Sequence, residues 1–127
     1  MKKRILDVGN CQPDHAAITR LLKSRCDCEV VQAHGASDAL AALRAGRFDL
    51  VLVNRKLDAD YSDGIEVVRQ IKSDAQAKDV PVMLITNYAE HQDAAQAIGA
   101  LRGFGKLEYN NPETHAKLDA VLAAQGT

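Results

Sequence analysis

Two short stretches, FDLVLVN (48–54) and VPVMLIT (80–86), constrain the fold more than any others. From Leu50 to Val53, and again from Val82 to Ile85, every side chain is apolar, so neither run has a face it could show to water. A strand with one wet face alternates apolar and polar residues. An unbroken apolar run instead fits a parallel strand covered on both faces by crossover helices. The rest of the chain supplies those helices. RILDV (4–8) and EVVQA (29–33) read as further strands, and RGFGK (102–106) leads a short fifth. Between them, DHAAITRLLKS (14–24), with Pro13 just ahead of it, sets Ala17, Ile18, Leu21 and Leu22 at helical spacing. Ser37 is the expected N-cap of DALAALRAG, which stops at Gly46. GIEVVRQIKSD (64–74) and EHQDAAQAIG (90–99) follow as helices, and Asn111-Pro112-Glu113 opens a last one through Leu118, Val121 and Leu122.

Five strand–helix pairs in this order predict an α/β chain: a doubly wound, five-stranded parallel sheet, the (βα)5 flavodoxin-like arrangement. At 127 residues with 46% hydrophobic content, the expected unit is a single domain over residues 1–127. A net charge of −1 leaves no electrostatic footprint for nucleic acid. There is no apolar run of membrane length, and the apolar part of MKKRILDVGNC is too short for a secretion signal. A cytoplasmic protein is expected. Cys11, Cys26 and Cys28 form no framework and read as free thiols; Cys26-Asp27-Cys28 lacks the second pair a zinc site needs.

In a doubly wound sheet the functional crevice lies beyond the carboxyl ends of the strands. Those ends are Val8-Gly9-Asn10-Cys11, Asn54-Arg55-Lys56, Thr86-Asn87-Tyr88 and Gly105-Lys106-Leu107. Taken in that order, and over essentially the whole chain, they resemble the receiver domain of bacterial two-component response regulators. A receiver has an acidic pair after its first strand and a phosphoacceptor Asp ending the third. Thr or Ser ends the fourth, and Lys the fifth. The resemblance implies Thr86 as the switch hydroxyl and Lys106 as the phosphate-contacting lysine. Phe104, one place off the family register, would be the aromatic that swings inward. Gly9 and Asn10 then stand where the acidic pair should be, and Asn54 where the phosphoacceptor should be. The phosphorylation site is degenerate, which is the pattern of a pseudo-receiver. Mg²⁺ requires anionic oxygen ligands, and an amide is no nucleophile toward a phosphoryl donor. No catalytic residue, metal or cofactor is therefore expected, and no enzymatic activity. Leu107 replaces the family's usual proline, and the loop after Asn54 is about two residues longer than usual.

The function implied is a receiver-like signalling domain of a two-component, phosphorelay system that works without phosphotransfer. Its partner would be a signalling protein docking on the fourth helix, fifth strand and last helix, near Phe104 and Tyr109. A second copy of the chain is an alternative partner; nucleic acid and membrane are not. One rival reading is a working phosphoreceiver with Asp58 or Asp60 as substitute acceptor. Another is a small-ligand-binding flavodoxin-like domain with its crevice around Asn10, Asn54 and Lys106. Lys106 is expected to pair with Asp7 or a loop carboxylate, and Asp7, inside an apolar strand, needs a partner of its own. Asp58, Asp60 and Asp63, without the glycine and glutamate of a calcium loop, are expected to be solvated, as are His15, His34, His91 and His115. On this reading Gly9→Asp, Asn10→Asp and Asn54→Asp together would rebuild an acidic cluster beside Thr86 and Lys106.

Overall fold

The apolar runs find the cover they need. The structure, a computed structural model, describes residues 2–125. Its strands are β1 (Lys3–Val8), β2 (Cys28–Ala33), β3 (Leu50–Asn54), β4 (Val82–Ile85) and β5 (Leu101–Phe104). They alternate with α1 (Gln12–Arg25), α2 (Ala36–Ala45), α3 (Gly64–Ser73), α4 (Ala89–Ala97) and α5 (Pro112–Gln125). The sheet is parallel throughout, in the order β2-β1-β3-β4-β5, as the alternation requires. Successive residues of β3 serve opposite layers. Val51 and Val53 pack with Val67, Val68 and Ile71 of α3 and Ala39 and Leu43 of α2. Leu50 and Leu52 pack with Ile18 and Leu22 of α1 and Leu118 of α5. These four side chains are wholly buried, each contributing about 1.5–3 kcal/mol by leaving water. Asn54 is the first position of the strand to emerge.

Three local expectations are corrected. α1 starts at Gln12, so Pro13 lies in its first turn, where the backbone N–H it lacks has no helical partner to lose. α2 is closed by Asp38 rather than Ser37, its carboxylate accepting the N–H groups of His34 and Gly35 at 2.8 Å each. β5 ends at Phe104, and Lys106 begins a short 3₁₀ turn beyond it (Lys106–Glu108).

The β4–β5 ladder is interrupted between the Met83–Leu101 and Ile85–Phe104 pairs. Gly103 lies at the interruption, and a Cβ there would overlap the Leu84 carbonyl. The bonds the ladder lacks are made by one buried side chain of α4. Gln92 donates to the Leu84 carbonyl (2.9 Å) and accepts the Gly103 N–H (2.8 Å). Among the described residues, no helix is long and apolar enough to cross a membrane.

Candidate functional site

At the end of β3, the Asn54 side chain is a hydrogen-bond donor twice over. Its Nδ2 donates to the Lys56 carbonyl (2.7 Å) and to the Gly9 carbonyl (3.2 Å). A carboxylate could make neither bond. The Gly9 carbonyl also accepts the Asp58 N–H at 3.0 Å, so the β1 end and the β3–α3 loop are stitched together at one point. Gly9 has φ +80°, in the left-handed region, and a Cβ there would overlap the Leu57 side chain. Leu57 is buried, inserted between Lys56 and Asp58 into the core shared with Val8 and Val53. The extra length of the loop thus fills the position above Gly9.

Asp60 and Asp63 are exposed and Asp58 partly so, and each acid is also bonded within the protein. Lys56 and Asp63 form an isolated antiparallel bridge, and Leu57 N–H donates to the Ser62 carbonyl at 2.9 Å. Asp60 accepts from the Ser62 hydroxyl (2.6 Å), Asp63 caps α3 through the Ile65 N–H (3.0 Å), and Asp58 lies 3.2 Å from His34 Nδ1.

Asn10 turns away from Asn54. Wholly buried, it donates to Asp7 Oδ1 at 2.6 Å, while Asp7 Oδ2 pairs with His15 Nδ1 at 2.7 Å. Asp7 shares the sheet face of Ile5, beneath α1, and burial raises its carboxyl above the usual range against the bonds from His15 and Asn10. Lys106 reaches the same side. Its ammonium donates to Asp14 Oδ2 at 2.6 Å, so its partner is in the first turn of α1 rather than Asp7 or the β3–α3 loop. That bond holds the Asp14 carboxyl below its usual range. Asn10 Oδ1 and the Tyr109 hydroxyl are buried without hydrogen-bond partners, and burial pushes the phenol's pKa up.

Thr86 is also committed. Its Oγ1 accepts the Tyr88 N–H (3.3 Å) and hydrogen-bonds with His91 Nδ1 (3.1 Å), tying the β4–α4 loop to α4. Next to it, Asn87 Oδ1 accepts the Leu107 N–H at 3.2 Å, a donor that proline would lack. Phe104 is wholly buried on the α1/α5 face, its ring edge-on to Tyr109. His115 bonds the Tyr109 carbonyl at 2.9 Å, so all four histidines have protein partners. Cys11, Cys26 and Cys28 are free; burial, with Cys26 alongside, pushes the Cys28 thiol up to about 12.

The sequence profile of the response regulator receiver domain matches residues 12–104. The chain belongs to this family. Solved structures agree in fold. The signal receiver domain of a DNA-binding response regulator from Colwellia psychrerythraea has a TM-score of 0.80 at 19% identity, over 96% of this chain and 99% of that one. A Vibrio cholerae chemotaxis protein gives 0.74 at 24% identity, over 92% and 95% of the two chains. The receiver domain of a Pseudomonas aeruginosa sensor histidine kinase, with a magnesium ion in its active-site cleft, gives 0.73 at 21% identity, over 98% and 97%. This protein is thus a receiver domain of a two-component system.

The residues of this receiver at the corresponding strand ends do not fit a hard divalent cation. Gly9 has no side chain, Asn10 points its amide at Asp7, and Asn54 presents N–H groups to backbone carbonyls. The neighbouring carboxylates, Asp7 and Asp14, are taken up by Asn10, His15 and Lys106, and the other charges at the crevice, Arg55 and Lys56, have the wrong sign.

Proposed function

We propose that this receiver domain signals through protein contact, without accepting a phosphoryl group. The observation that carries the reading is the double donation by Asn54. The residue at the phosphoacceptor position closes the β3 end onto Gly9 and Lys56, and it has no nucleophilic oxygen to present. A substitute acceptor is disfavoured by the loop. Asp60 is tied to Ser62 and Asp58 faces His34, and neither lines the crevice beside Thr86.

The contact surface we favour is the face of α4, β5 and α5, where Leu101 and Arg102 are exposed. Two residues near it are structural supports. Lys117 donates to the Gly103 carbonyl at 3.0 Å, and Tyr109 packs edge-on to Phe104. Arg102, bonded to Asp93 (2.8 Å) and Gln96 (2.9 Å), is the better probe of docking. Without phosphate, the state of the domain is set by whichever conformation a partner binds more tightly.

Incubation with a small-molecule phosphodonor and Mg²⁺, followed by intact-mass measurement, tests the reading. The mass should stay that of the unmodified chain. An adduct of one phosphoryl group at any Asp would refute it.

A further inference from the structure

Beyond β3 and β4 lies a crevice of about 280 Å³ whose lining carries basic side chains and no carboxylate. Arg55, Lys56, His91 and Lys106 line it, with no Asp or Glu among the lining residues. We propose that this crevice is a metal-free site for a small oxyanion, a phosphate or carboxylate free in solution, held reversibly by Arg55 and Lys56. The inference rests on the reading that Asn54 takes no phosphoryl group.

Arg55 supplies the main argument. Its Nε is buried and has no hydrogen-bond partner. The nearest carboxylate oxygen, Asp63 Oδ1, is 3.8 Å away and already accepts the Ile65 N–H at 3.0 Å. With Nε closed off from solvent, an incoming acceptor oxygen would be met by the terminal N–H groups of the guanidinium, which make no hydrogen bond among the described residues. Lys56 has no carboxylate within ion-pair range among the described residues, and its ammonium stands 5.7 Å from the Tyr61 ring centroid. Lys106 is held by Asp14, and both Asn54 donors are used, so the positions that serve phosphate elsewhere in the family contribute little here. The volume lies just below the roughly 300–1,000 Å³ of small-molecule pockets, which suits a compact metabolite bearing one or two anionic groups.

The experiment is an NMR titration of the full chain with inorganic phosphate, and separately with succinate, at low salt in the presence of a chelator. Saturable shifts centred on Arg55, Thr86 and Tyr88, unchanged when excess Mg²⁺ replaces the chelator, are expected with at least one of the two anions. Arg55→Gln and Lys56→Gln should each weaken binding about tenfold. Lys56 is exposed, so its variant keeps the test sound if Arg55→Gln fails to fold. Asp14→Asn, by releasing Lys106, should tighten binding. No saturation in the millimolar range with either anion, or equal affinity in the Lys56→Gln variant, would overturn the site. The titration contains no phosphodonor, so its failure leaves the phosphorylation reading standing. Covalent uptake in the mass experiment would refute that reading without touching the titration result.

Discussion

The two sides of the carboxyl edge of the sheet treat charge in opposite ways. Beside β3 and β4, the crevice is lined by cations and amides with no acid. At α1, on the α1/α5 face of the sheet, two carboxylates meet partners: Asp7 with Asn10 and His15, Asp14 with Lys106. A receiver position read along the chain does not say which of these two sides its side chain serves. Asn10 and Lys106 stand at crevice positions in the sequence, yet both bond to the acids under α1. The crevice is left with Asn54 as a clasp, and the α1 side acquires the buried charge.

The strongest way to break this contrast is to put an acid back where the chain now crosses. Gly9→Asp requires a β-carbon at φ +80° and must displace buried Leu57. Left-handed strain of about 1–3 kcal/mol and core displacement of about 1–3 kcal/mol should together cost about 2–6 kcal/mol. Chemical denaturation should find the variant strongly destabilised. Rebuilding the acidic cluster by substitution, which looks straightforward in the sequence, is therefore blocked at its first position.

Asn54→Asp is the next largest effect. It removes two donated bonds and sets a carboxylate against the Gly9 and Lys56 carbonyls, at a cost of about 1–3 kcal/mol.

The smallest effect sharpens the α1 side. Burial raises the Asp7 carboxyl above its ordinary value of 3.8, so the folded state binds a proton there more readily than the unfolded chain does. Its contribution to stability grows as pH falls through the folded value and is complete below 3.8. Asp14, lowered by its bond from Lys106, behaves in the opposite sense; its contribution is present above 3.8 and lost as pH falls through its lower folded value. Asp7→Asn removes the first term and keeps the second. Urea midpoints taken from neutral pH down toward 4 should show wild type gaining stability relative to the variant. Parallel curves would mean that Asp7 is not desolvated.

Most of the fold was legible because unbroken apolar runs and 3.6-residue spacing leave few alternatives. Leu50–Val53 could only be a doubly covered strand, and the order of the strand ends brought Asn54 and Thr86 to one crevice. What escaped were contacts that spacing does not encode. Asp14 and Lys106 are 92 positions apart. Leu57 is one large aliphatic residue in a polar loop, and only the length of that loop hinted that it folds inward. Gln92 left a fainter trace, a polar residue three positions before Ala95 on the buried stripe of α4. The histidines gave no signal, since each found its partner in a different element or loop.

The proposed function turns on Asn54 acting as a structural donor rather than an empty phosphoacceptor. The most direct measurement is the denaturation midpoint of Asn54→Asp against wild type, each with and without millimolar Mg²⁺. A clear loss of stability in the variant is expected, with no recovery on adding the metal. A variant as stable as wild type, or one that Mg²⁺ stabilises, would contradict it.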